Sequence, residues 1–150
     1  MKGDLKMRFI RLDMKGQWKG TEHRSSIAGS IFSTEETIWE DGISCYSLND
    51  KVDAIENLYK YWLEIAKATL EDFKNMQVTI FEGAHNGYGA DGEDLAICTE
   101  TIKEIDAYQF MKKVYDAKDK LDGLYEDENG EYIEISKEEY NQILESLIDD

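Results

Sequence analysis

The sequence predicts an α+β fold: a mostly antiparallel sheet packed on one long central helix, with two further helices toward the C-terminus. Three observations carry that reading. Apolar residues recur at steps of three and four between Asn49 and Met76 (Val52, Ile55, Tyr59, Trp62, Ala66, Phe73), which lays them on one helical stripe. Short stretches of alternating apolar and polar residues, bounded by turn formers, stand on both sides of it, as half-buried strands do. Asp106 and Ser136 sit where N-caps would open two later helices. Strands grouped around a helix and followed by helices make an α+β arrangement.

Taken in order, Leu5 to Asp13 reads as a strand, and Lys15 to Arg24 as a polar connection anchored by Trp18. Ser25 to Ser33 is a second strand. Thr37 to Glu40 and Ile43 to Leu48 flank Asp41-Gly42, a pair suited to the positive φ angles of a two-residue hairpin turn. The long helix then runs without Gly or Pro, about 25 residues and roughly 38 Å. Its outer face alternates Glu56, Lys60, Glu64, Lys67, Glu71 and Lys74, so neighbouring charges offset one another. Gln77 to Glu82 is a strand, Gly83 to Gly92 a glycine-rich loop, and Leu95 to Ile105 another strand. A helix capped by Asp106 extends to about Leu121. Leu124 to Glu126 and Glu131 to Ile135 pair around Asn129-Gly130. Ser136 with Glu139 opens a terminal helix whose inner residues are Tyr140, Ile143, Leu144, Leu147 and Ile148.

One hundred and fifty residues without Pro or a low-complexity linker suit a single domain spanning 1–150. A 41% apolar fraction, with five Phe, nine Tyr and three Trp, excludes a disordered chain. The formal charge of −16 is unevenly placed. Residues 1–24 carry seven Lys/Arg against three Asp/Glu, whereas Asp116 to Asp150 carry thirteen acids against three bases. Such a surface disfavours direct nucleic-acid binding and attracts basic partners. Acidity for solubility alone accounts for the charge equally well at this level. Cys45 and Cys98 read as buried free thiols, because no CxxC or Cys/His spacing accompanies them. No apolar run reaches a membrane span and no signal-type h-region opens the chain, so the expected location is the cytoplasm.

Motifs for chemistry are few. Gly87-Tyr88-Gly89-Ala90-Asp91-Gly92 fits GxGxxG as text, but a strand rather than a helix follows, and Asp91, Glu93 and Asp94 would repel a phosphate. His85 with those three acids offers oxygen and nitrogen donors for a divalent cation without EF-hand spacing. Asp127-Glu128-Asn129-Gly130 lacks the acids an EF-hand would need at Tyr125 and Ser136. We expect no cofactor and no metal. His23 and His85 lie in expected loops, where solvation is the simpler role.

Arg11 in Phe9-Ile10-Arg11-Leu12, Ser33-Thr34 closing Ile31-Phe32-Ser33-Thr34, and Glu93 before Asp94-Leu95-Ala96-Ile97 stand in an order similar to that of small ADP-ribosyltransferases. Those enzymes carry Arg or His on a first strand, a Ser-Thr strand next and a catalytic Glu opening a later one. The resemblance implies catalysis by Arg11, Ser33 and Glu93. The pattern departs where Asp91-Gly92-Glu93 replaces Glu-x-Glu, where the spacing from Arg11 is short, and where 57 residues follow Glu93.

The acidic segments carry the leading reading. Carboxylates cluster at expected turns and element ends, where they face solvent. In size, acidity and lack of a catalytic motif the whole chain resembles the small phage-type inhibitors of bacterial defence nucleases, the anti-CRISPR and anti-restriction proteins. The resemblance implies a non-enzymatic DNA mimic acting in a host cytoplasm, with side chains laid into a nuclease's basic groove. The expected contributors are Glu126, Asp127, Glu128, Glu131 and Glu134, with Asp91, Glu93 and Asp94 from the glycine loop, and Tyr88 and Tyr125 as aromatic anchors. A structural or virion-assembly protein, associating through an apolar face, is the third class.

Overall fold

A computed structural model describes residues 6–15, 43–65, 67–89 and 92–149, apart from the side chains of residues 6, 43 and 44. The expected strand Ser25 to Ser33, the first half of the Asp41-Gly42 hairpin, Trp18, Ser33 and Asp91 lie outside the described residues.

Strand β1 (Lys6–Met14) and β2 (Ile43–Ser47) precede a helix, α1 (Lys51–Tyr59), which continues as a π-helical turn over Lys60–Ile65 and, after a break, a 3₁₀ turn over Leu70–Asn75. Two long strands follow, β3 (Met76–Tyr88) and β4 (Asp94–Asp106). Helix α2 (Ala107–Leu121), a small hairpin of β5 (Tyr125–Glu126) and β6 (Tyr132–Ile133), and helix α3 (Lys137–Ile148) complete the chain. The architecture is α+β. Among the described residues no single long central helix is present, and α2, at 15 residues, outlasts α1.

The break has local causes. An i→i+5 turn adds a residue to the helix, and here adjacent Tyr61 and Trp62 are both buried, ring edge to ring face at 5.5 Å. Lys67 then adopts a left-handed φ of 61°, and the Ala68 N–H returns to the Trp62 carbonyl at 2.9 Å, closing the helix end. The Asp72 carboxylate accepts the Thr69 N–H at 2.8 Å and so opens the next turn. The buried stripe of α1 is Ala54, Ile55 and Leu58, leaving Val52 and Tyr59 half-buried.

All four long strand pairings are antiparallel, and they close on themselves. Strand β1 pairs with β2 and β3, while β4 pairs with β3 and β2, so that the four strands among the described residues close into a barrel. The expected loop at Gly83 to Gly92 is largely strand, because β3 runs on to Tyr88 through three register shifts. Gly83 permits this: a Cβ there would collide with the Ile97 carbonyl oxygen of β4, so only glycine allows the two backbones to approach. Gly87 holds a φ of 114° near the hairpin end.

The sheet has two buried faces. Ile10, Leu12, Met76, Val78 and Ile80 pack under α1, α2 and α3 with Trp62, Phe73, Phe110, Tyr140 and Leu144 to form the main core. The alternate residues turn into the barrel, where Phe9, Cys45, Phe81 and Ala96 form a second cluster flanked by Met7 and Cys98. Among the described residues no helix is long and apolar enough to cross a membrane.

Both later helices start as their caps dictate. Asp106 accepts the Gln109 N–H at 3.0 Å and Ser136 the Glu139 N–H at 3.1 Å. Asp106 also receives Lys15 Nζ at 2.7 Å, and these two bonds hold its carboxyl below the usual aspartate range. Asp106→Ala should therefore cost about 1 kcal/mol, whereas Asp106→Asn keeps a capping oxygen and gives up only an exposed ion pair, within about 0.5 kcal/mol. A lowered folded-state pKa means that the carboxylate's contribution is present above the ordinary aspartate value and disappears as pH falls below about 4. Thermal melts at neutral pH and near pH 3 should then show the Asn variant converging on wild type in acid.

Candidate functional site

Three groups of polar side chains stand out, and they differ in what they can do. The first lies inside the barrel. Arg11 Nε meets the Asp13 carboxylate at 2.8 Å with both side chains at 0% exposure, and the Thr79 hydroxyl donates to Asp13 at 2.6 Å. Gln77 Nε2 donates to Thr79 Oγ1 at 3.2 Å and to Glu104 at 2.9 Å. The guanidinium lies 4.5 Å from the Phe81 ring centre. These contacts follow from register: Arg11 faces Thr79 and Asp13 faces Gln77 across β1 and β3. Arg11, Asp13 and Thr79 are buried, and the chain of contacts reaches the surface at Glu104.

Burial pushes both thiols beside it, Cys45 and Cys98, above their ordinary range, and Arg11 only partly offsets this. Both cysteines are free; Cys45 is buried as the sequence suggests, whereas Cys98 is only half-buried.

The second group sits toward the β3–β4 turn. His85 Nε2 and Asp94 Oδ1 are 2.9 Å apart, and Asp94 Oδ2 accepts the Ser47 N–H at 2.7 Å. The imidazole stacks on Phe9 and meets Tyr88 edge-on at 4.8 Å. His85 therefore belongs to a strand, and Asp94 ties β2, β3 and β4 together. Glu93 is half-buried over Gly89, with the Gly89 N–H on its carbonyl at 2.7 Å. Tyr88 is 74% exposed. Among the described residues no group of three or more His, Cys, Asp or Glu side chains is placed to share a metal ion.

Of the residues the enzyme resemblance singles out, Arg11 lies opposite Thr79 on β3, and Glu93 lies beyond the Tyr88–Asp94 pair at the β3–β4 turn. Ser33 lies outside the described residues.

The third group is the β5–β6 hairpin. Asp127 Oδ1 accepts both the Asn129 and Glu131 N–H groups at 2.9 Å, and Gly130 takes a φ of 78°, which together form the turn. Asp127 is thus occupied by its own backbone. Register pairs Tyr125 with Ile133 and Glu126 with Tyr132. Alternation then sends Tyr125 and Ile133 inward, with Lys120 Nζ 4.8 Å from the Tyr125 ring. Outward point Leu124, Glu126, Tyr132 and Glu134, with Leu124 and Tyr132 at 68% and 69% exposure. Glu128 and Glu131 are exposed beside them, and none of the four glutamates forms an ion pair among the described residues. The Leu124 N–H on the Asp119 carbonyl (2.8 Å) and the Ile135 N–H on the Lys120 carbonyl (3.2 Å) fasten the hairpin to the end of α2.

Four of the five expected hairpin carboxylates, Glu126, Glu128, Glu131 and Glu134, are exposed. Of the two tyrosines expected as anchors, Tyr88 is exposed and Tyr125 half-buried, while Tyr132 and Leu124, which the sequence reading did not single out, are exposed. The signal was present in the alternation of Leu124-Tyr125-Glu126 against Tyr132-Ile133-Glu134. No known family model matches the sequence, and neither curated proteins nor solved structures provide a match.

Proposed function

We propose that this protein is a non-enzymatic acidic interaction module that binds a basic, nucleic-acid-handling protein, such as a CRISPR or restriction nuclease, and blocks its nucleic-acid site. The observation that carries the reading is the β5–β6 hairpin, where exposed Tyr132 and Leu124 share a face with Glu126 and Glu134 and the exposed Glu128 and Glu131 stand at the adjoining turn. An exposed aromatic and an aliphatic side chain supply area for a desolvated centre, and a carboxylate rim supplies steering and register. The cations that bind phosphates in a nuclease groove are the complementary surface. The thirteen acids against three bases between Asp116 and Asp150 extend the same field around the hairpin.

A direct test is capture of host proteins on the immobilised full chain, followed by binding of each purified candidate in the presence of duplex DNA. Binding to a nucleic-acid-handling protein should weaken with added salt and be competed by DNA. It should also fall in a variant with Glu126, Glu128, Glu131 and Glu134 all changed to Gln. A partner retained equally by that variant, or bound equally at low and high ionic strength, overturns the proposal. So does light scattering that shows the chain to be a self-assembling particle with this face buried.

A further inference from the structure

A second surface of the molecule has the opposite character. Between α2 and α3, against the end of β4, runs a groove of about 430 Å³. Its floor is apolar: Ile105 from β4, Phe110 and Ala117 from α2, Ile143 and Leu147 from α3. Around it stand Lys103, Lys113 and Lys120.

The groove's two acids are already engaged by lysines that do not line it. Lys112 Nζ reaches both Asp116 oxygens at 3.1 Å, and Lys51 Nζ reaches Asp149 at 2.8 Å. Lys113 and Lys120, by contrast, form no ion pair among the described residues. The local balance is therefore cationic on a chain of formal charge −16. Distant carboxylates do not cancel it, because charges more than about 8 Å away are largely screened at physiological ionic strength.

We propose that this groove binds a single-chain acyl carboxylate of the fatty-acid type. Each part of that chemistry answers a feature of the site. The volume falls within the range of small-ligand sites, which are apolar with a few placed polar groups. From Gln109 to Lys120 the α2 wall is about 16 Å long, an elongated trough rather than a round pocket. Aliphatic floor residues suit a methylene chain. The ammonium of Lys113 or Lys120 meets the carboxylate while its own stem lies along the apolar wall. A small inorganic anion would leave the floor wet, and an alkylammonium would set like charges together. The site shares neither its floor nor Lys113 with the hairpin face, so the two proposals stand or fall separately.

Calorimetric titration of the full chain with dodecanoate below its micelle concentration tests this, with dodecanol, dodecylammonium and acetate as parallel arms. Dodecanoate should bind saturably at one per chain, dodecanol more weakly, and the other two not at all. Lys113→Glu should weaken dodecanoate by about tenfold or more through charge reversal at the head group. Ser146→Trp, which places a ring in the trough from an exposed position, should abolish binding while circular dichroism and melting temperature stay as in wild type. The hairpin variant with four Gln should bind dodecanoate normally. The proposal is overturned if dodecylammonium binds as tightly as dodecanoate, if dodecanoate binding survives both groove variants, or if only an acidic amphipathic peptide binds there.

Discussion

Arg11→Met should lower the folding stability of this protein by about 3–5 kcal/mol, the cost of leaving one partner of a fully buried ion pair without the other. Arg11 and Asp13 are both at 0% side-chain exposure, and the carboxylate's remaining described partner would be the Thr79 hydroxyl at 2.6 Å. A methionine can refill much of the space against Phe81, so the loss comes mainly from an uncompensated charge and only secondarily from a cavity. The pair's net worth is a separate quantity. Changing both residues, Arg11→Met with Asp13→Leu, removes both desolvation costs, and the double variant should recover a large part of the loss. Urea denaturation of the four proteins closes the cycle: the midpoint should fall in each single variant and rise again in the double, with the slope unchanged. An Arg11→Met protein within about 0.5 kcal/mol of wild type would mean that the pair is not sealed from water. The same numbers bear on function, because lost activity in an Arg11 variant reports on chemistry only if the barrel is still folded.

Arg11 also shows what the sequence disclosed and what it withheld. A cation inside Phe9-Ile10-Arg11-Leu12 reads as functional when the strand is considered alone. Asp13, two residues on and therefore on the same face, was the available clue to a structural pair. Capping was legible for a similar reason, since the Asp106 and Ser136 bonds are local and follow from side-chain type. The end of α1 was not. No Gly or Pro marks residues 66–69 in the sequence, and the positive φ falls on a lysine that follows the buried Tyr61 and Trp62. Only Thr69 and Asp72, three apart, hinted at a new start. The glycine-rich stretch misled in the other direction. Gly83 signals backbone freedom locally, but its use is the close approach to Ile97 that closing a barrel demands, and closure is a long-range property.

The hairpin yields the second large effect. On the captured basic partner, Tyr132→Ala should weaken affinity by about 2 kcal/mol, roughly thirtyfold, through faster dissociation. Tyr125→Ala should act differently, because that ring is turned inward under Lys120 and contributes to holding the hairpin on α2. Its variant should melt at a lower temperature and, at a temperature where it is folded, bind within about threefold of wild type. The contrast is a property of register: a strand shifted by one residue would exchange the two tyrosines between faces. Changing Glu126, Glu128, Glu131 and Glu134 together to Gln should slow association by about tenfold or more at low salt, with the rates converging as salt is raised. Stopped-flow association and dissociation rates at two ionic strengths separate the anchor from the rim. Should Tyr125→Ala cost more affinity than Tyr132→Ala while remaining folded, the outward face assigned here is not the one that meets the partner.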